Sequence, residues 1–366
     1  MNLFNPYNDK GISLKNRIVM APMTRARNPD GIPNQMNARY YAQRAGSGLI
    51  ITEGIAISDT AKGVMYIPGL YTDPQVEGWK QVTAAVHAEG SKIFAQLWHV
   101  GRVSHTSNQP GGIAPVSASD IPAANSMAWG LDADGQPGFV PVSIPRPLST
   151  TEVRDIVKDF ARAAQNAIAA GFDGIEIHGA NGYLVEQFLN PYVNIRRDQY
   201  GGNIENRSRF LFEIIDTCID AIGAAKVAIR LTPHGGLYDM KPYPEVNETY
   251  FYIAGELYKR NIAFIDIMDQ HSRGSFALPD GFLAAFRQHY PGIIILTGGM
   301  TKAKGQEYID NGWIDLVGFG EAFIANPDLV KRLENDWPLT TPDRTLHYGG
   351  QEHGYVDYGY YREENN

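Results

Sequence analysis

"STTEVRDIVKDFARAAQNAIAAGFDGIEIHGANGY", residues 149–183, holds one full unit of the pattern that organises this chain. Ser149 stands three residues before Glu152, the spacing of a capping box, so a helix is predicted to begin there. Val153, Ile156, Val157, Phe160, Ala164, Ala167 and Ile168 then form one apolar stripe at helical spacing, which Gly171 closes. The run that follows, Gly174-Ile175-Glu176-Ile177, is short and nearly continuous in apolar residues, as a strand covered on both faces should be. After it come His178, Asn181 and Tyr183, three hydrogen-bonding side chains interleaved with glycine and alanine.

The same unit recurs. Eight strand-like runs stand at residues 16–22, 48–54, 92–99, 174–179, 227–233, 264–270, 293–299 and 314–320, with helical stretches between them. Such alternation implies an α/β fold with a parallel sheet, and eight repeats predict a closed (β/α)8 TIM barrel spanning residues 1–366 as a single domain. A doubly wound open sheet would share this periodicity, because alternation does not itself show closure. Two connections exceed ordinary loops: residues 100–147 after the third strand, rich in Pro, Gly and Ser, and residues 234–248 after the fifth. Long excursions at the strands' C-terminal end are expected to act as lids or binding loops.

Composition narrows the function. The 366 residues are 43% hydrophobic and 20% charged, which supports a large core. A formal charge of −8 without a basic run argues against a nucleic-acid partner. Apolar runs such as Ile293–Leu296 fall far short of the ~18 residues that suggest a membrane span. Residues 1–14 lack the basic start and apolar stretch of a secretory signal. The single cysteine, Cys218, has apolar neighbours at helical spacing and is expected to be a packed core residue in a cytoplasmic protein.

Polar and small residues gather at the strand ends: Thr24, Glu53-Gly54, Gln96, Trp98, His178, Arg230, Asp269-Gln270, Thr297-Gly298-Gly299 and Gly318-Phe319-Gly320. In a barrel these converge on one pocket. Taken singly, Arg230 could pair with a neighbouring carboxylate, Gln96 could satisfy backbone groups, and the glycines could serve turns. The glycines after the seventh and eighth strands, however, occupy the loops that frequently make a barrel's phosphate site, so an anionic ligand is expected there. No second histidine or acidic residue lies at ligand spacing from His178, so no metal is expected. His178 and Asn181 can instead offer two N–H donors to one oxygen, and Tyr183 can supply a proton.

Several stretches together resemble the Old Yellow Enzyme family: "APMTR" at 21–25, "TEG" at 52–54, "QLWHVGR" at 96–102, "HGANGYLVEQFLNP" at 178–191, "NIRRDQYGGNIENRSRF" at 194–210, "RLTP" at 230–233 and "FIANPDLVKRL" at 323–333. The similarity runs in order from about Asn5 to Tyr358, and the ending "YGGQEHGYVDY" looks most like the bacterial branch of pentaerythritol tetranitrate, N-ethylmaleimide and morphinone reductases. The resemblance implies a barrel that binds FMN tightly without a covalent bond and draws hydride from NAD(P)H. It further implies that Pro22, Met23 and Thr24 lie along the isoalloxazine, that Gly54 lets backbone approach the ring, that Gln96 bonds the pyrimidine edge, and that Arg230 faces N1 and O2. Gly298, Gly299, Gly318, Phe319 and Gly320 would form the phosphate cradle. His178 and Asn181 match the pair that holds the substrate oxygen, Tyr183 the proton donor, and Trp98 and Tyr348 the substrate pocket. The implied substrates are activated alkenes such as α,β-unsaturated carbonyls, and nitro compounds or nitroesters.

Two positions depart from the family pattern. Glu321 stands where relatives carry an arginine, and a carboxylate ~4 Å from a phosphate charge would be repelled by ~4 kcal/mol at an effective dielectric near 20. Glu321 is therefore expected to turn away, with backbone N–H groups, Lys302 or Lys304 compensating. Val64 replaces a common pocket tyrosine, with Tyr66 expected to fill part of the space. Glu321 motivates one rival reading, a flavin-binding protein of weak or lost activity. A second rival, a sugar-phosphate lyase or isomerase, would need a lysine or carboxylate base at the rim, and neither accompanies His178.

Overall fold

The computed structural model describes residues 2–362; Met1 and residues 363–366 of the expected domain lie outside the described residues. All eight expected strands form: β1 (Ile18–Met20), β2 (Leu49–Ala56), β3 (Lys92–Trp98), β4 (Gly174–Gly179), β5 (Val227–Leu231), β6 (Ile265–Met268), β7 (Ile294–Thr297) and β8 (Leu316–Phe319). They pair in parallel around a closed barrel, and the ring is completed where Val317 of β8 pairs with Ile18 and Phe319 with Met20 of β1. That pairing removes the open-sheet alternative.

One principal helix follows each strand: α1 (Gln35–Gln43), α2 (Asp73–Ala88), α3 (Thr150–Ala169), α4 (Ile204–Ile222), α5 (Val246–Lys259), α6 (Phe282–His289), α7 (Lys302–Asp310) and α8 (Leu329–Glu334). In α3 the capping box forms as expected: Ser149 N donates to Glu152 Oε2 at 2.9 Å, and Glu152 N donates to Ser149 Oγ at 3.3 Å. The stripe buries Val153, Ile156, Val157, Phe160, Ala164 and Ala167, with Ala163 added and Ile168 left half-buried at the edge. Cys218 is buried in α4, where burial pushes its thiol up to about 12. Among the described residues no helix is long and apolar enough to cross a membrane.

Alternation along the strands sorts the barrel into layers. Val19, Leu49, Ile51, Phe94, Ala228, Phe264, Ile293, Ile295 and Leu316 form an inner apolar cluster. Tyr7 and Leu14 join that cluster from an N-terminal hairpin, Tyr7–Asp9 with Ile12–Leu14, so the base of the barrel is closed by apolar side chains. Two residues further along several strands the same inward positions turn polar: Gln96, Glu176, Arg230, Asp266 and Thr297, all buried. The outward positions, such as Ile18, Ile50, Ile175, Ile229 and Ile294, pack in the larger cluster with the helices.

The long connection after β3 is more structured than its composition indicated. It holds an antiparallel hairpin, Met127–Leu131 with Pro137–Pro141, and a short parallel pair, Val116–Ser117 with Arg146–Pro147. The hairpin is anchored beyond itself, since Met65 N donates to Trp129 O at 3.1 Å. Proline and glycine within the hairpin strands hide the period-2 signal that identifies strands.

Candidate active site

A cavity of about 890 Å³ opens at the C-terminal ends of the strands. Pro22, Met23, Thr24, Gln96, Trp98, His178, Asn181, Tyr183, Arg230, Gly298, Gly299, Gly318, Phe319, Gly320 and Tyr348 all line it. Gly54, expected beside the ring, is not in that lining. A Cβ on Gly54 would lie 2.4 Å from Cε3 of Trp98, so its missing side chain makes room for the indole. The strand bulges between Ile51 and Gly54, which shifts that backbone out of register with β3.

The inner wall is an ionic network. Arg230 Nε lies 3.5 Å from Asp266 Oδ2, near enough to pair but without a hydrogen bond, so this buried N–H has no hydrogen-bond partner among the described residues. Asp266 Oδ1 accepts from Thr297 Oγ1 at 2.9 Å. Gln96 Nε2 donates to Glu176 Oε1 at 2.8 Å, while Glu176 Oε2 has no hydrogen-bond partner among the described residues. Burial, followed by the charge of Asp266, pushes Glu176 well above the usual carboxylate range. Burial raises Asp266 as well, and the one guanidinium of Arg230 draws both buried carboxyls down. Of the bland explanations offered by the sequence, that for Arg230 is met, since it has its carboxylate, whereas Gln96 bonds the Glu176 carboxyl and not backbone groups. Each also faces the cavity.

On the adjoining wall, a second residue fixes the polar end of His178 and of Asn181. Ala180 N donates to His178 Nδ1 at 3.3 Å, which places the imidazole proton on Nε2. Burial, then the charges of Arg230 and Arg273, hold His178 well below the usual histidine range, so it is neutral. Asn181 adopts a left-handed φ of 57°, a region asparagine tolerates. Its Oδ1 accepts from Gln270 Nε2 at 2.9 Å, which leaves its amide N–H groups as donors. Gln270 is set in turn by Gly236 N and Leu237 N, which donate to its Oε1 at 2.9 and 3.2 Å. Thr232 Oγ1 accepts from Asn181 N at 2.9 Å and donates to Glu186 Oε2 at 2.8 Å, and Gly182 N donates to the same carboxylate oxygen at 2.6 Å.

Tyr183 stands beside them, with its ring edge-on to Trp98 and to His178 at 4.9 Å each. Its hydroxyl donates to Tyr238 Oη at 3.4 Å. Burial, then Tyr238, pushes the phenol well above its usual range, so it carries its proton at neutral pH. Sequence reasoning gave no role to Tyr238, Gln270 or Arg273. Gln270 was visible at a strand end, but its geometry with Asn181 comes from two strands that are not neighbours. The connection after β3 supplies Met127, Trp129 and Phe139 to the mouth. Trp129 forms an isolated bridge with Val64, and both line the cavity; Tyr66 does not, contrary to expectation.

At the glycine end, packing within the barrel already demands two of the glycines. A Cβ on Gly298 would meet Asp269 O at 2.0 Å, and one on Gly318 would meet Thr297 Oγ1 at 2.1 Å. Gly299 and Gly320 have more room, with nearest contacts of 3.4 and 3.7 Å. Glu321 lines the cavity instead of turning away, and its Oε1 accepts from Arg344 Nε at 3.1 Å. Neither expected lysine lines the cavity: Lys302 Nζ pairs with Asp336 at 2.8 Å, and Lys304 Nζ lies over the Tyr308 ring at 5.4 Å. The segment bearing Arg344 and Tyr348 is tied down by buried arginines, with Arg25 Nε donating to His347 O at 3.0 Å and Arg27 Nη2 to Leu346 O at 2.9 Å.

A cationic inner edge, a row of glycines and an unpartnered Arg230 N–H suit a ligand with a flat polar ring at one end and a phosphate at the other, as FMN has. The chain matches the model of the NADH:flavin oxidoreductase / NADH oxidase family over residues 2–340. It is 39% identical over 376 residues to 12-oxophytodienoate reductase 1 of Oryza sativa subsp. japonica, covering 99% of this chain and 93% of that protein. The solved structure of morphinone reductase in complex with tetrahydroNAD has a TM-score of 0.95 and 43% identity, covering 100% of this chain and 99% of that one. The old yellow enzyme homologue from Zymomonas mobilis has a TM-score of 0.92 and 36% identity, covering 98% of this chain and 99% of that one. The chain therefore belongs to the Old Yellow Enzyme family of FMN-dependent, NAD(P)H-driven ene-reductases.

Proposed function

We propose that this cavity reduces the C=C bond of α,β-unsaturated carbonyl compounds, and that the same oxygen-holding pair admits nitro compounds and nitroesters. FMN, when bound, supplies the means to take a hydride from NAD(P)H and deliver it to the alkene β-carbon. The chain's own residues do the rest. His178 Nε2–H and the Asn181 amide hold the substrate oxygen and stabilise the negative charge that grows on it. Tyr183, protonated and buried, gives its proton to the α-carbon, and Tyr238 is the hydrogen-bond partner that can return one. Arg230, the register partner of His178 on the neighbouring strand, supplies the positive charge for the pyrimidine edge together with Gln96, while Trp98, Trp129 and Tyr348 exclude water from the slot.

The observation that carries this reading is convergence: Arg230 and the His178, Asn181 and Tyr183 group line one continuous cavity. Two separate cavities would have argued against it. The test is anaerobic and uses the purified protein. NADPH or NADH is expected to bleach its flavin absorption, and 2-cyclohexenone to restore it. A flavin that bleaches but is never reoxidised by alkenes, quinones or nitroesters would leave only a flavin carrier.

A further inference from the structure

The FMN reading creates a charge problem at the glycine end of the cavity. Glu321 directly follows Gly320 and lines the same wall, so its carboxylate would oppose a phosphate. Lys302 and Lys304 are both absent from the lining. Of the cavity arginines, Arg230 sits inside the barrel against Asp266. Arg273 exerts its charge on His178, Tyr183 and Tyr348, which places it toward the substrate end. Arg344 is left.

Arg344 is equipped for the task. Its Nε is taken by Glu321, while Nη1 and Nη2 make no hydrogen bond to any described residue. A guanidinium gripped along one edge presents the other as a fork that fits two phosphate oxygens. The ion pair also offsets the carboxylate that would otherwise repel the anion. Arg25 and Arg27 hold the carbonyls of residues 346 and 347, so the guanidinium is carried on a fixed backbone and not on a free tail.

Resting on the FMN reading, we propose that Arg344 is the cation that binds the FMN phosphate in this chain, and that Glu321 is its positioning residue. The test compares two flavins on the full-length protein: FMN, and riboflavin, which has the same ring without the phosphate. Affinity for each is read from quenching of flavin fluorescence after the bound flavin has been exchanged out. Arg344→Ala is expected to weaken FMN by about tenfold or more, the loss of a charged hydrogen-bond donor, and to leave riboflavin unchanged. The charge-reversed pair, Glu321→Arg with Arg344→Glu, is expected to recover most of the FMN affinity, while Arg344→Glu alone is worse than Arg344→Ala. Unchanged FMN binding in Arg344→Ala, or equal weakening of both flavins, would overturn the assignment. Wild-type protein that binds neither flavin would overturn the FMN reading along with it, a pattern distinct from either.

Discussion

At the His178 end of the cavity, the donors are set by buried partners, the Ala180 peptide for His178 and Gln270, from a strand end that is not a neighbour, for Asn181; at the Glu321 end, the charged contact is a solvent-exposed ion pair between residues 23 apart in sequence. Asn181 is held from several sides, since Gln270 fixes its amide, Thr232 holds its backbone, and Glu186 braces Thr232 and the next peptide. Among the described residues Arg344 is held at one point, with a single bond from Nε and two nitrogens open. The difference follows from what each end must do. A transition state rewards donors that are already oriented, because reorientation during the reaction costs activation energy. A cofactor phosphate bound once and kept needs charge, which tolerates looser geometry.

If the rigid end is where chemistry happens, substitutions there should change rates far more than cofactor retention. Tyr183→Phe removes the proton and should slow alkene-driven reoxidation by about 10²-fold or more, with flavin reduction by NAD(P)H nearly unchanged. Stopped-flow traces of the two half-reactions separate these, and equal slowing would take the proton-donor role from Tyr183. His178→Ala or Asn181→Ala should each cost roughly 2.7–4 kcal/mol of transition-state stabilisation and weaken phenol binding. The double variant should cost less than the sum, since both donors serve one oxygen. Phenol affinity that survives either single change would break the oxygen-holding pair.

Glu186 sharpens the contrast through pH. Burial pushes this carboxyl up to about 7 despite the N–H and O–H groups donated to it by Gly182, Thr232 and Tyr250. Its folded-state value is raised, so the stability it contributes is fully present below the unfolded value near 4.5 and is lost as pH rises through about 7. The loss is on the order of 3 kcal/mol, and Glu186→Gln should remove it. Melting curves at pH 5 and pH 8 should therefore diverge more for wild type than for the variant; parallel behaviour would mean that Glu186 is not the titrating brace. The smallest effect is expected for Gln270→Met, which frees the Asn181 amide to rotate and should lower kcat/KM by about tenfold without loss of flavin. An unaffected kcat/KM would show that Asn181 needs no such hold.

The two ends were also unequally legible in the sequence. His178, Asn181 and Tyr183 lie within six residues after a strand, and a strand end in a barrel points to the mouth, so local spacing placed them correctly. Eight apolar runs likewise marked every barrel strand. The hairpin at Met127–Leu131 was hidden because proline and glycine erase alternation. Gly54 was assigned to ring approach, but only the folded chain reveals that Trp98 fills the space beside it. Arg344 was invisible for a different reason: it reaches the cavity on a segment tied down by Arg25 and Arg27, more than 300 positions away in sequence, and no neighbour of Glu321 along the chain announces it.

The most direct measurement is a crystal structure of the FMN-loaded protein with a bound phenol. The isoalloxazine is expected with its pyrimidine edge at Arg230 and Gln96, the phenol oxygen within hydrogen-bond reach of both His178 and Asn181, and the phosphate at Arg344. A flavin seated elsewhere, or a phenol whose oxygen points away from His178 and Asn181, would contradict the assignment of this cavity.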